Sequence, residues 1–129
     1  MAINYPPQQG IIVICDYRGL VPPEMDKLRP VVVLSSVAPR LALVVPLSTT
    51  APMQVRPWHY RLVLTEPITS HFSSLECWAK CDMVAAVSFG RLNLPIAGKE
   101  HGKRIYKDMR VTAADLAAIK AAVWQAVSS

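Results

Sequence analysis

Hydrophobic residues in this chain fall into several short runs. Three of these runs are nearly continuous, at 11–17, 30–36 and 41–47. Such runs are typical of β-strands that are buried over most of their length, so each predicts a strand. The segment 59–65 alternates between apolar and polar residues, which predicts a strand with one covered face. Further strands are expected from Leu75 to Asp82 and over 84–89.

Only the C-terminal segment has a helical period. An apolar stripe runs along one face of the predicted helix, formed by Leu116, Ile119, Val123 and Val127. Thr112 precedes this segment as a suitable N-cap, and Asp115 adds an acidic residue to the first turn. We therefore predict a helix that is capped at Thr112 and ends near Val127.

The segment 91–102 is polar and has no regular period, so we expect it to be irregular. Ile105–Tyr106 is compatible with one more short strand. Five to seven short strands followed by one helix predict a mainly β (α+β) fold. A small β-barrel capped by the helix fits this pattern, because barrel closure hides the edges of a sheet. With 129 residues, the chain is expected to form one domain over 1–129.

Composition narrows the function classes but does not choose one. Fourteen Lys and Arg against nine Asp and Glu give a formal charge of +5, which favours acidic partners such as nucleic acid, an anionic membrane or an acidic protein segment. No apolar run approaches the roughly 18 residues of a membrane span, and we expect no signal peptide before the first strand. The sequence therefore predicts a cytoplasmic protein that does not enter the membrane.

The three cysteines are Cys15, Cys77 and Cys81, and we expect them to be reduced. Cys77 and Cys81 lack a second Cys/His pair at ligand spacing, so we predict no metal site and no cofactor.

The junction of Arg29 with Pro30 is the first feature that suggests chemistry. A charged loop with Glu24, Asp26 and Lys27 leads directly into the apolar strand there. Pro30 disfavours helical geometry for the residue before it, so Arg29 is expected at the start of a strand. A guanidinium held by a rigid strand suits a phosphate group. The alternative is an ordinary surface arginine.

Five blocks of the chain, taken in order, resemble the PemK/MazF family of toxins from type II toxin-antitoxin systems. They are the glycine-led strand from Gly10 to Tyr17, the RPVVVLS block of 29–35, the PLSTT segment of 46–50, the WAKCD segment of 78–82, and the tail from Arg104 to Val127. The resemblance implies an SH3-like, CcdB-type β-barrel that is usually a homodimer.

The resemblance also implies an mRNA interferase, which is a metal-independent endoribonuclease acting on single-stranded RNA. In that chemistry the ribose 2′-hydroxyl attacks the adjacent phosphate and leaves a 2′,3′-cyclic phosphate and a 5′-hydroxyl. A cognate antitoxin that covers the site is implied as a partner, and the complex of the two proteins is expected to bind DNA.

Three residues match the family's catalytic positions. Arg29 matches the arginine, which would bind the phosphate and stabilise its added charge. Ser48 aligns with the catalytic threonine or serine, and Thr49 replaces it if the register slips by one residue. Asp82 and Lys80 resemble an Arg-x-Asp pair that is expected on one strand face. Asp82 would act as a base or position Arg29, and a salt bridge with Lys80 is the alternative.

The remaining candidates have weaker support. Glu24 and His59 are further possible acids or bases, with a solvated carboxylate and an ordinary strand-end histidine as the alternatives. Lys27, Lys80 and Trp58 are candidates for RNA binding. Two other functions stay open: a barrel that binds RNA or protein without cleavage, and a CcdB-type gyrase inhibitor. The second depends on a terminal Trp-Gly-Ile tail, which this chain lacks.

Overall fold

The computed structural model describes residues 2–129, which form ten strands and one α-helix. The strands are β1 (Ile11–Asp16), β2 (Leu28–Ala38), β3 (Leu41–Ser48), β4 (His59–Val63), β5 (Glu76–Lys80), β6 (Ala85–Ser88), β7 (Leu92–Asn93), β8 (Ile96–Glu100), β9 (Lys103–Tyr106) and β10 (Met109–Arg110). Two short 3₁₀ turns flank β6, at Cys81–Met83 and Phe89–Arg91. The helix α1 spans Ala113–Val127.

Eight of the strands form one antiparallel sheet, in which the order is β10-β1-β2-β3-β5-β4 and β6 and β7 pair with β3 and β1; β8 and β9 pair only with each other. The mainly β class with a C-terminal helix is confirmed, but the expected closure into a barrel is wrong, because the sheet ends at β4 and β10. Strand β3 pairs first with β6 and then with β5, so the sheet divides there. Helix α1 packs on β4 and covers apolar surface of the sheet. In a closed barrel, other strands would have covered this surface.

The central strands bury side chains on both of their faces, as their apolar runs predict. The first cluster, on what we call the helix face, packs beneath α1 and includes Ile12, Val32, Val45, Leu62 and Ile119. The second cluster lies on the opposite side, which we call the loop face because residues of the 18–27 loop pack against it; it includes Val13, Cys15, Tyr17, Val31 and Val44. Successive side chains alternate between these faces, so the register decides where each polar residue lies.

The helix begins as predicted, because the Oγ1 of Thr112 accepts a hydrogen bond from the backbone N of Asp115 at 3.0 Å. The phenolic hydroxyl of Tyr60 in β4 donates to the carboxylate of Asp115 at 2.6 Å, which holds the helix against the sheet. The predicted apolar stripe is too long at its C-terminal end, because Val127 is 66% exposed. No helix among residues 2–129 has the length and apolar character needed to cross a membrane.

The segment 91–102 differs from the prediction, because it contains β7 and β8 where an irregular segment was expected. Strand β8 pairs only with β9, in a hairpin closed by the two-residue turn His101–Gly102. Both turn residues have positive φ, as a tight hairpin turn requires. All residues of these two strands are exposed. The strands therefore lack the alternation of apolar and polar residues that would have predicted them from the sequence.

Candidate functional site

The start of β2 and the end of β3 meet at one end of the sheet. The two strands pair in antiparallel register with Val31 opposite Pro46. Continuing this register by two residues puts Arg29 opposite Ser48. Residues directly opposite one another in an antiparallel pair share a face, and Val31 places that face on the loop side of the sheet.

The neighbouring strands extend this pair into a row. Arg29 is the partner of Cys15 in β1, and Ser48 is the partner of Trp78 in β5. A guanidinium, a hydroxyl and an indole therefore follow one another across the adjacent strands β2, β3 and β5 on the loop face. From the sequence, Trp78 could stack on a base but is expected in the core or at a dimer interface, because it lies within an apolar strand. Its position opposite Ser48 follows from strand pairing, which a single sequence does not give.

Arg29 has a distinctive environment. Its side chain is half-buried, and its Nε is buried without a hydrogen-bond partner among residues 2–129. Its strand partner Cys15 is fully buried, and burial raises the pKa of the thiol to about 12, so that Cys15 is neutral. A buried donor without a partner costs about 1–3 kcal/mol, and more when the group is charged. This cost falls on Nε, whereas the guanidinium as a whole, half-buried at the start of β2, suits a phosphate group.

Ser48 is buried at the last position of β3, with 8% of its surface exposed. Its Oγ accepts a hydrogen bond from the backbone N of Thr50 at 3.1 Å, which turns the chain as the strand ends. Thr49, the alternative hydroxyl, is exposed within that turn. The register therefore favours Ser48 as the hydroxyl beside Arg29.

The two candidate carboxylates come together at one cavity of about 350 Å³. Glu24 and Asp82 line this cavity beside Tyr17, together with mostly apolar residues of the 18–27 loop and of the segment before β6. Glu24 is fixed locally, because its carboxylate accepts a hydrogen bond from the backbone N of Val21 at 3.2 Å. Tyr17 lies on the loop face, so the cavity opens on the same side as Arg29.

The expectation that Lys80 and Asp82 share a strand face is wrong. Strand β5 ends at Lys80, and Asp82 lies in the 3₁₀ turn Cys81–Met83. The backbone leaves extended geometry at Lys80, where φ is −92° and ψ is 83°. Within the described residues no ion pair joins the two side chains. The bend directs Asp82 to the cavity instead.

The remaining candidates are divided between the two faces. Lys80 lies two residues beyond Trp78 on the same face, with His59 of β4 directly opposite. The Nδ1 of His59 accepts a hydrogen bond from the backbone N of Arg56 at 2.9 Å, which leaves Nε2 as the donor. Trp58 packs against the helix-face cluster, away from the row. Lys27 is exposed in the loop that precedes Arg29.

All three cysteines are free and buried. Over residues 2–129, no group of three His, Cys, Asp or Glu side chains has the arrangement needed to hold a metal ion.

Comparison with known proteins decides the family. A family model for the PemK-like, MazF-like toxin of type II toxin-antitoxin systems matches residues 8–126. The chain belongs to this family. A curated relative, the putative uncharacterized protein YifN of Escherichia coli (strain K12), is 35% identical over 113 residues; the match covers 72% of this chain and 76% of YifN.

Solved structures share the fold. An endoribonuclease in complex with its cognate antitoxin, from Mycobacterial species, has a TM-score of 0.62 at 17% identity and covers 95% of both chains. An endoribonuclease from Mycobacterial species has a TM-score of 0.60 at 17% identity, covering 95% of this chain and 91% of the other. The Mycobacterium tuberculosis toxin MazF-mt6 has a TM-score of 0.58 at 15% identity, covering 93% and 97%.

Proposed function

We propose that this protein is the toxin of a type II toxin-antitoxin system and cleaves single-stranded RNA, chiefly mRNA, without a metal ion. Membership of the PemK/MazF family supports the toxin class, and two structural neighbours are endoribonucleases. The observation that carries the proposal is the β2–β3 register, with Val31 opposite Pro46. Continued by two residues, it sets Arg29, whose Nε is buried and unpartnered, opposite Ser48. A guanidinium beside a small hydroxyl suits a phosphodiester.

In the proposed reaction, the 2′-oxygen of one nucleotide attacks its own 3′-phosphorus as the bond to the 5′-oxygen of the next nucleotide breaks. Arg29 stabilises the negative charge that gathers on the phosphoryl oxygens. The Ser48 hydroxyl, which donates to the carbonyl oxygen of Thr50 at 3.4 Å in the free protein, turns to donate to one of the phosphoryl oxygens. A guanidinium is a poor base, so we assign Arg29 no proton transfer. The products are a 2′,3′-cyclic phosphate and a 5′-hydroxyl.

Proton transfer is assigned to the groups around the cavity. Asp82 takes the 2′-proton, because it lines a cavity that opens on the face of Arg29 and has no cationic partner among the ion pairs of the described residues. The departing 5′-oxygen receives its proton from Glu24 or from the Nε2–H of His59. Lys80 and Lys27 contact the RNA backbone as point charges. Trp78 is better placed than Trp58 to stack on an unpaired base.

The proposal extends to partners and location. One structural neighbour is bound to its cognate antitoxin, and we infer an antitoxin partner for this chain as well. A homodimer, a cytoplasmic location and DNA binding by the toxin-antitoxin complex belong to the same proposal.

The test is incubation of the purified protein with a long single-stranded RNA in excess EDTA. Wild type is expected to cut the RNA and leave 2′,3′-cyclic phosphate ends, which mass spectrometry of the fragments identifies. The variant Arg29→Ala is expected to lose about 10²–10³-fold in rate, as when one charge-stabilising donor is removed from an active site, and Asp82→Asn is expected to lose activity as well. Arg40→Ala, which changes an exposed arginine in the turn between β2 and β3, is the matched control.

Intact RNA after incubation with folded wild-type protein would contradict the proposal. Tight binding of RNA without cleavage would instead favour an RNA-binding protein that lacks catalysis. Equal rates for wild type and Arg29→Ala would remove Arg29 from the reaction.

A further inference from the structure

The β8–β9 hairpin, residues 96–106, extends from the sheet as a two-stranded ribbon. Its strands pair with each other and with no other strand, and every residue in them is exposed. A free two-stranded hairpin is only marginally stable in water. A ribbon that buries so little against its own protein is expected to gain stability from a ligand.

One face of the ribbon carries an uncompensated pair of cations. Lys99 and Arg104 are direct cross-strand partners, so their side chains leave the same face close together. Like charges in directly opposite positions destabilise a pair of strands. None of the ion pairs among residues 2–129 includes either cation. The arrangement is unfavourable in the free protein, and a bound anion would relieve it.

An aromatic ring completes this face. Tyr106 lies two residues beyond Arg104 on the same strand and therefore on the same side of the ribbon, and it is 41% exposed. The opposite face differs in charge balance, because Lys103 there has Glu100 as its direct partner. We call Lys99, Arg104 and Tyr106 the cationic face.

The base of the ribbon lies beside the segment that carries Arg29. Ile96 and Gly98 line a cavity together with Leu28, the residue immediately before Arg29. Leu28 and Arg29 leave opposite faces of β2, so this cavity lies on the helix-face side of the strand, and Arg29 faces the loop side. A strand of RNA that leaves the candidate site and passes around the start of β2 to the other face would reach the ribbon.

We propose that the cationic face binds the backbone of single-stranded RNA outside the cleavage site, with Tyr106 stacking on an unpaired base. The two adjacent cations match consecutive phosphates, and a tyrosine beside an arginine is typical of surfaces that bind single strands. An acidic protein segment would match the charge but would not need the exposed aromatic ring. This inference builds on RNA as the substrate in the proposed function, and it adds a second contact region for the same ligand.

The test measures binding separately from cleavage. The probe is a fully 2′-O-methylated RNA of 20 nucleotides, which lacks the attacking hydroxyl and cannot be cut by the proposed reaction. The double variant Lys99→Ala/Arg104→Ala is expected to bind about tenfold more weakly at low salt, and its slope of log affinity against log salt should fall by about 1.4, or 0.7 for each lost phosphate contact. Tyr106→Ala should weaken binding with an unchanged salt slope.

The matched control is Lys103→Ala, which removes the same kind of charge from the same ribbon on its other face. It is expected to keep wild-type affinity, and thermal unfolding of all variants verifies that they fold. Equal binding by wild type and the double variant, or equal loss in the Lys103 control, would overturn the proposal. It would also be overturned if the double variant lost binding to polyglutamate but not to RNA, since the face would then dock an acidic protein segment. The binding experiment does not depend on catalysis. If the protein did not cleave RNA, the proposed function would fail, and the comparison of variants would still test the cationic face.

Discussion

The two faces of the central strands use the same backbone for different purposes. On the helix face, Val32, Val45 and Leu62 are buried under α1 without a polar group among them. On the loop face, similar apolar packing extends only part of the way along β2 and β3, and then gives way to Arg29 and Ser48 at the strand ends. The register that the apolar residues require on both faces also fixes where the polar pair lies.

Because of this difference, we expect the helix face to determine stability and the loop face to determine the proposed activity. The helix face gains its free energy from burial, and its side chains do not reach the candidate site. The loop face keeps a charged donor without a partner in the described chain, which costs stability and suits an anionic substrate. Substitutions on the two faces should therefore have opposite consequences.

The largest effect on folding is expected from the helix face. Leu62 is 1% exposed within that cluster, so Leu62→Ala should lower the free energy of unfolding by about 2–5 kcal/mol. Urea denaturation measures this loss. Activity per folded molecule should stay near wild type, whereas Arg29→Ala should lose activity with little loss of stability. If Leu62→Ala abolished cleavage while the protein remained folded, the separation of the two faces would be wrong.

A smaller effect is expected from a strand-end polar group that already has its partners. Asp16 accepts hydrogen bonds from the side chain of Arg18 at 2.7 and 2.9 Å, and these bonds lower its pKa from 3.8 to about 2. A carboxyl whose pKa is lower in the folded state stabilises the protein above its unfolded pKa. That contribution is lost as the pH falls from about 4 to 2.

Asp16→Asn should therefore reduce the acid dependence of stability in this range, with a shift in melting temperature of less than about 3 °C at pH 7 because the ion pair is exposed. Melting curves between pH 2 and pH 7 measure it, and RNA cleavage should be unchanged. We expect Arg29, whose Nε has no partner, to act in cleavage, and not Asp16, which is paired with Arg18. A large loss of cleavage in Asp16→Asn would contradict this distinction.

The sequence predicts the buried parts of the fold well. Apolar runs locate β1, β2 and β3, because covered strands must be apolar on both faces, and Thr112 locates the start of α1. The β8–β9 hairpin is missed because exposed strands need no alternation of apolar residues. The open sheet is missed because β3 pairs with β6 along its first half and with β5 at its end. Such pairing joins segments distant in sequence, and no local sequence pattern predicts it.

The candidate site is predictable in its residue types and less so in its geometry. Arg29 is expected at a strand start from Pro30 alone, and it lies in β2 one residue after its first position. Asp82 was expected on a strand, but the chain bends into a 3₁₀ turn and directs it to the cavity with Glu24. The row of Arg29, Ser48 and Trp78 arises from pairing between strands distant in sequence, so only the fold reveals it.

The most direct test of this account is a double-mutant cycle on cleavage of one RNA substrate with Arg29→Ala, Ser48→Ala and the double variant. If both groups stabilise the same phosphoryl oxygens, their effects on kcat/KM should be strongly non-additive, with a coupling of about 1–3 kcal/mol. Additive losses, or an Arg29→Ala variant as active as wild type, would contradict a shared phosphate site at the ends of β2 and β3.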